Sequence, residues 1–275
     1  MGLRIATNMA SIASQKAMGA QTKRQESASQ RLATGSRIVR ASDDAAGLAI
    51  SEKMRADLRG TAQARNNAFN AISAVQVGEG ALGETTNLLT RLRELSVQAA
   101  SDTVGDKERG YLQQEASSVL EEIDRISQST AFGDKKLLDG SSNELEFHVG
   151  SGSGKENIIS FKSNNDASTS GLGVSGADIT SKDGARDLLS SVDNAIENVS
   201  KMRAGYGAMQ SRLESTVNGL DNKNENLSAA RSRITDADVA KESSELASAN
   251  MLQSAALSVL SQANQQPMVA MKLIG

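Results

Sequence analysis

A single proline, Pro267, is the feature that most constrains how this chain of 275 residues can fold. Proline interrupts helices because it lacks a backbone donor and its ring collides with the preceding turn. The long stretch before Pro267 carries no such interruption. Only four Phe, two Tyr and no Trp are present, so the thick core of an ordinary enzyme of this length is not expected. The sequence predicts long helices that meet through thin, Ala-lined contacts.

Apolar residues repeat at alternating steps of four and three in three segments, 68–89, 112–126 and 188–220. The most regular series is Leu188, Val192, Ala195, Val199, Met202, Tyr206, Met209, Leu213, Thr216 and Leu220. A repeat of 3.5 residues is typical of left-handed coiled-coil packing. One of the three segments follows the middle of the chain, so we expect an antiparallel bundle in which the chain runs out and returns.

The middle segment, residues 141–184, is rich in Ser, Thr, Asn and Gly and therefore favours turns and loops. Within it Leu145, Phe147 and Val149 alternate with polar residues, and Ile159 and Phe161 repeat the alternation after a Gly/Ser loop. This pattern predicts a β-hairpin that packs on the neighbouring helices, because its own core is small. The predicted fold is mainly α, with long antiparallel coiled-coil helices from both chain ends and a small β-hairpin region in the middle.

The two chain ends differ from this bundle. On a helical wheel, the apolar residues between 246 and 263 cover an arc of about 240°, which is wider than one partner helix can cover. A single molecule must therefore expose apolar surface, keep its tails disordered or oligomerise. Residues 246–271 carry no charge, but they contain many Ser, Asn and Gln, so no membrane span is predicted.

Two glycine-rich strings imitate nucleotide sites. Residues 78–83 read GEGALG, which fits the dinucleotide pattern, but a heptad helix precedes them instead of the required strand. We expect a close-packing or flexible point in a helix there. Residues 150–155 read GSGSGK and are expected to form the hairpin tip. A dinucleotide-dependent enzyme built on residues 78–83 and a secreted coiled-coil effector are the rivals from other functional classes.

Residues for other chemistry are scarce. The chain has no Cys and one His, His148, which is expected to be a solvated strand residue, so no metal site, cofactor or catalytic triad is predicted. Acidic pairs follow Ser42 and Thr235, where helices are expected to begin, and carboxylates there satisfy free N–H groups. The predicted caps and linker residues are Ser42, Asp43, Asp44, Thr235, Asp236 and Asp238. With 30 basic and 33 acidic residues, nucleic-acid binding is not expected either. The sequence predicts a protein that is not an enzyme.

Several long strings near both chain ends resemble bacterial flagellin. In the first half these are LRIATN (3–8), RLATGSRIVRASDDAAGLAIS (31–51), LTRLRELSVQAA (89–100) and EEIDRISQSTAFGDKKLLDG (121–140). In the last part they are ENLSAARSRITDADVAKE (225–242) and QANQQPMVAMKLIG (262–275). The resemblance implies a short flagellin without the large variable surface domains.

The resemblance implies a self-assembling structural subunit of the extracellular flagellar filament, exported without signal cleavage and used for motility. Residues 1–42 and 236–275 would form an inner helical domain that folds on assembly into the filament's inner tube. Residues 43–235 would form the outer core. The expected inner-tube residues are Leu3, Ile5, Ile12, Leu252, Leu257, Leu260 and Leu273. The alternative within this class is a flagellin-like junction protein between hook and filament.

The resemblance also implies partners. The expected partners are further copies of the chain, an export chaperone with the export apparatus, and the hook-associated and filament cap proteins. A helical surface with Arg91, Leu95, Gln98 and Glu115 is similar to the patch that the vertebrate flagellin-sensing Toll-like receptor reads.

Overall fold

The computed structural model describes residues 7–141, 144–161 and 166–274, with side chains up to residue 265. Its helices are α1 (Met9–Thr34), α2 (Ala45–Ala99), α3 (Asp106–Ser129), α4 (Lys182–Thr235) and α5 (Val239–Ile274). The strands are β1 (Ala131–Phe132), β2 (Lys135–Lys136), β3 (Leu145–His148) and β4 (Ile158–Phe161). The prediction of a mainly α chain with a small hairpin region is confirmed.

The chain divides into two compact units. The terminal unit comprises residues 1–56 and 226–275, and the middle unit comprises residues 57–225. These borders fall inside α2 and α4, whereas the sequence placed them at residues 42/43 and 235/236. The first turns of α2 belong with the terminal unit because they contact the preceding linker, where the Ile38 side chain lies directly against Gly47.

In the middle unit, α2 and α4 run antiparallel. Three ion pairs show this arrangement, because residue numbers rise along α2 as they fall along α4. These pairs are Arg65–Asp221 at 2.9 Å, Glu79–Arg203 at 3.6 Å and Arg93–Asp193 at 2.7 Å. The helix α3 lies beside α2, where Arg91 contacts Glu115. The coiled-coil arrangement predicted from the heptads is therefore present.

The heptad series of α4 supplies most of the core that this helix contributes. Eight of its predicted positions are buried: Leu188, Val192, Ala195, Val199, Tyr206, Met209, Leu213 and Leu220. Val217 is buried in place of the predicted Thr216. From Leu213 the buried series steps four residues to Val217, where a strict heptad would step three residues to Thr216. An apolar side chain therefore occupies the core position, and Thr216 is only partly buried.

The predicted hairpin is formed by β3 and β4, which pair antiparallel with Leu145 opposite Phe161 and Phe147 opposite Ile159. Ile159 and Phe161 are buried, while Glu146 and His148 are exposed. The Phe161 ring meets the Tyr206 ring edge-on, with 4.9 Å between centroids. The hairpin therefore packs on α4, as its small size requires. The shorter ladder of β1 and β2 was not predicted.

Gly78 lies inside α2, so the GEGALG string does not form the strand–turn–helix of a dinucleotide site. Its role is close packing, since a Cβ atom there would lie 2.5 Å from Cε1 of Tyr206. Gly80, two residues along the same helix, has nothing within 4 Å of that position. These two glycines therefore form a matched pair.

We expect Gly78→Ala to destabilise the middle unit by about 1–3 kcal/mol, because the added methyl group displaces the Tyr206 ring. Gly80→Ala should stabilise it by about 0.5–1 kcal/mol, because alanine favours the helix and meets no neighbour. Urea unfolding of both variants measures the difference. Equal stabilisation by the two substitutions would contradict the packing role of Gly78.

Candidate assembly surface and linkers

The terminal unit pairs α1 with α5 in antiparallel orientation. The Asn8 side-chain amide donates to the Ala263 carbonyl at 2.8 Å, and Arg31 contacts Glu242 at 3.3 Å near the opposite ends of the pair. Among the side chains of these helices that the structure describes, the buried ones are small or polar: Ser11, Ser14, Ala28, Glu242, Ala249 and Ala263. None of the described large apolar side chains of the pair is fully buried.

Large apolar residues of the same two helices face solvent instead. They are Met9, Ile12, Val239, Met251, Leu252, Leu257 and Val259, each about half to two-thirds exposed. Full burial of such a side chain stabilises by about 1.5–3 kcal/mol relative to exposure. A single molecule does not gain most of this free energy, because these side chains remain largely exposed. This set of seven residues is called the exposed apolar set below.

The predicted inner-tube residues fall into three groups. Ile12, Leu252 and Leu257 belong to the exposed apolar set. Leu260 is partly buried on α5. Leu3 and Ile5 lie outside the described residues, as does the side chain of Leu273.

The segments that join the terminal helices to α2 and α4 form a short clasp. Backbone hydrogen bonds run from Arg37 N to Thr235 O at 2.7 Å and from Ala237 N to Gly35 O at 2.9 Å. Gly35 has φ +66°, a conformation that glycine adopts without strain. The Arg37 guanidinium donates to the Ile234 carbonyl at 2.8 Å, which satisfies a free acceptor at the end of α4. The clasp holds the two chain segments side by side.

Two of the predicted caps lie at helix starts. Asp44 Oδ1 accepts from Gly47 N at 2.8 Å at the start of α2. Asp238 Oδ1 accepts from the N–H groups of Ala240 and Lys241 at 2.9 and 3.1 Å at the start of α5. Both are N-cap geometries, in which a carboxylate satisfies free donors of the first turn.

The other predicted caps have different positions. Asp43 accepts from Val39 N and Arg40 N, so it closes the linker turn, and these backbone hydrogen bonds lower the pKa of Asp43. Ser42 lies in the same turn, ahead of the N-cap. Thr235 is the last residue of α4 and does not precede a new helix directly. Ser42 and Asp43 are therefore linker residues and Thr235 ends α4, so none of the three caps the helix that follows.

Asp236 belongs to the clasp and is not a cap. It pairs with Ser36 through an isolated β-bridge, and its carboxylate accepts from the Thr235 hydroxyl at 3.0 Å. A hydrogen bond from the Ser232 side chain, and to a smaller extent one from Thr235, lowers the pKa of Asp236. Its charged form is therefore favoured at the junction between the two helices.

On the middle unit, Arg91 lies at the centre of an exposed charged surface. Its guanidinium donates to Glu115 Oε1 at 2.6 and 2.9 Å and to Glu94 Oε2 at 2.9 Å. The hydrogen bonds to Glu115, and to a smaller extent the one to Glu94, raise the pKa of Arg91 above its ordinary value. Gln98 is exposed on the same helix. Leu95 is 0% exposed and packs in the core, so the expectation that it belongs to a receptor-facing surface does not hold for the free subunit.

Arg109 is a structural residue that the sequence did not reveal. Its buried guanidinium donates to the carbonyls of Ala99 and Ser101 at 2.9 and 3.1 Å and pairs with Asp106 at 2.9 Å. It thereby closes the end of α2 and fixes the turn into α3. The one available signal was Asp106 three residues before it, a spacing that many surface pairs share.

Comparison with known proteins decides the family. Residues 5–143 match the bacterial flagellin N-terminal helical region, and residues 189–274 match the bacterial flagellin C-terminal helical region. A flagellin from Halalkalibacterium halodurans is 41% identical over 97% of this chain and 98% of its own length. This chain belongs to the flagellin family.

Two solved structures resemble this flagellin. The crystal structure of Bacillus cereus flagellin is 26% identical, with TM-score 0.51, over 60% of this chain and 94% of its own. A Vibrio parahaemolyticus protein described as flagellar hook-associated has TM-score 0.60 over 70% of this chain and 100% of its own. At 14% identity that second likeness shows the fold alone. Membership of the family makes the chain a structural subunit of the flagellar filament, and the junction alternative is less supported.

Two further properties of this flagellin concern membranes and metals. None of the helices in the described part of the chain combines the length and apolar composition that a membrane crossing needs. Among the side chains that the structure describes, no three acidic or imidazole groups come close enough together to hold a metal ion.

Proposed function

We propose that α1 and α5 of this flagellin gain most of their buried surface from other copies, and that they form the wall of the filament's inner tube. The observation that carries the proposal is the exposed apolar set, on two helices whose fully buried side chains, among those described up to residue 265, are all small or polar. Polymerisation supplies many identical neighbours and so covers an apolar surface that is too wide for one partner helix.

Energetics favour coupling between folding and assembly. Ordering each residue of the tails costs about 1–2 kcal/mol in backbone entropy. An isolated antiparallel pair offsets this cost through helix hydrogen bonds and thin contacts alone, so its stability is marginal. Neighbouring subunits add burial of the exposed apolar set, and stabilisation by a partner increases with partner concentration. The tails are therefore largely disordered in the exported monomer and become ordered at the growing tip.

Elongation of seeds tests the proposal against the junction alternative. Purified subunits are mixed with short filament seeds, and lengths are measured by electron microscopy. A filament subunit lengthens the seeds in proportion to the amount added. A junction protein would cap them, and seeds that keep their starting length would contradict the proposal.

The Arg91 surface is the second element of the proposed function, as a site that the vertebrate flagellin-sensing receptor reads. Arg91, Gln98 and Glu115 support it, because all three are exposed and two of them form one charged pair. Buried Leu95 contributes only by holding α2 in place. The same surface is free to contact neighbouring subunits.

We expect Arg91→Ala to reduce signalling in receptor reporter cells by about tenfold, since one charged pair across an interface is worth roughly 1–2 kcal/mol. Arg125→Ala is the matched control, because Arg125 is also exposed and pairs with Glu122 on α3 at 2.6 Å. Thermal unfolding confirms that both variants fold. Unchanged signalling by Arg91→Ala would remove the receptor site from the proposal.

The remaining partners follow from the family. An export chaperone with the export apparatus, hook-associated proteins and a filament cap are the partners we propose besides further copies of the chain. The proposed location of the assembled protein is the filament outside the cell.

A further inference from the structure

Met251 is the most exposed large apolar residue among the described residues of the terminal unit, with 67% of its surface accessible. It lies on α5, where the helical repeat of 3.6 residues places Leu252, Ala255 and Val259 within about 100° of it. Leu252 and Val259 are themselves members of the exposed apolar set. Met251 therefore stands on a face that is open in the free subunit.

The composition of the chain makes methionine its most reactive side chain toward mild two-electron oxidants. There is no Cys and no Trp, whereas there are nine Met. A peroxide oxidises an accessible thioether to a sulfoxide, and accessibility sets the order of reaction. Met209 is 7% exposed within the core of the middle unit, so it should react much more slowly than Met251.

We propose that Met251 is an oxidation site at which a peroxide prevents a free subunit from joining the polymer. The inference rests on the proposed function, because it requires that assembly buries this face of α5. The sulfur lone pair attacks one peroxide oxygen, an S–O bond forms and the O–O bond breaks. The departing hydroxide takes the proton of the new S–OH group and leaves as water, so the sulfoxide is neutral, sulfur loses two electrons and the peroxide gains them.

The product blocks assembly for a physical reason. Sulfoxide converts a flexible apolar side chain into a strong dipolar acceptor. In the free subunit water satisfies that acceptor, and the middle unit, which does not contain Met251, keeps its fold. In an apolar seam between copies the acceptor loses its water without gaining a donor, which disfavours burial. Oxidation therefore acts on subunits before assembly, while the filament shields the sulfur.

The test uses a background that carries Met9→Leu, because Met9 is 64% exposed on α1 and its sulfoxide would also disfavour assembly. In that background, wild type at position 251 is compared with Met251→Leu, which keeps the apolar volume and removes the sulfur. Both are treated as monomers with hydrogen peroxide, sulfoxide at each methionine is quantified by peptide mass spectrometry, and seeded elongation is measured. The oxidised wild type should need about tenfold more subunit to elongate seeds, and oxidised Met251→Leu should elongate normally. Enzymatic reduction of the sulfoxide should restore the wild type.

The outcomes separate this inference from the proposed function. If untreated wild type elongates seeds, the proposed role as a filament subunit stands, whatever effect oxidation has on elongation. Normal elongation by wild type with stoichiometric Met251 sulfoxide overturns the inference alone, as does equal loss in wild type and Met251→Leu. A second readout is the Met251 oxidation rate, which should fall at least about tenfold in filaments while that of Met209 stays the same. An unchanged Met251 rate in filaments would also overturn the inference.

Discussion

Leu257→Asp is expected to abolish filament growth while the middle unit remains folded. Leu257 is 52% exposed on α5, so a carboxylate there stays hydrated in the free subunit. In the proposed tube wall the same carboxylate would be buried without a partner, at a cost of about 3 kcal/mol or more. That corresponds to an increase of roughly a hundredfold or more in the subunit concentration needed for growth.

Seeded elongation and thermal unfolding measure the two halves of this prediction. Leu257→Met is the matched control, because it keeps an apolar side chain of similar volume and should elongate seeds normally. Leu260→Asp should act in the same direction, although Leu260 is already partly buried in the free subunit. Filaments of normal length from Leu257→Asp would contradict the assembly surface.

Tyr206→Ala is expected to destabilise the middle unit by about 3–5 kcal/mol, the range for truncating a buried aromatic side chain. The Tyr206 ring is 1% exposed and packs against Phe161 and the backbone of α2 at Gly78. Its hydroxyl donates to the Leu137 carbonyl at 3.3 Å. One side chain therefore joins α4, α2, the hairpin and the segment after β2.

The chain supplies its own control, because Tyr111 is the only other tyrosine. Tyr111 is 74% exposed on α3, so Tyr111→Ala should change the free energy of unfolding by no more than about 0.5 kcal/mol. Urea unfolding of the three proteins gives the comparison. A Tyr206→Ala variant as stable as Tyr111→Ala would show that the ring does not hold the middle unit together.

The sequence predicts most of the middle unit because its helices bury one regular stripe. The steps of four and three from Leu188 to Leu213 specify which face of α4 is covered, and the alternation of Leu145 and Phe147 specifies the inner side of β3. In each case one short period determines both the element and its buried face. Local pattern and tertiary packing therefore agree.

Prediction from sequence is weaker where a residue's role depends on distant partners. Asp43 and Asp44 are adjacent acids, yet one closes a turn behind it and the other caps the helix ahead. Arg109 closes α2 through carbonyls of residues eight and ten positions earlier, and no periodic pattern encodes such a contact. Leu95 lies one turn from exposed Arg91 but on the covered face, and its burial depends on how α2 packs.

The terminal unit shows a different limit. Its sequence indicated an apolar arc too broad for one partner, and the structure leaves Leu252, Leu257 and Val259 exposed. Contacts within the chain leave these residues uncovered, and in the filament wall we propose the surface that covers them belongs to other copies. The sequence encodes a broad apolar surface on α5, but contacts within one subunit do not cover it.

Amide hydrogen exchange of dilute monomer and of assembled filament tests this conclusion most directly. We expect amides of α1 and α5 to exchange rapidly in the monomer and to become protected in the filament, because their order depends on neighbouring copies. Amides of α4 within the middle unit should be protected in both states and serve as the internal reference. Full protection of α1 and α5 in the dilute monomer, in a protein that does not elongate seeds, would contradict the account.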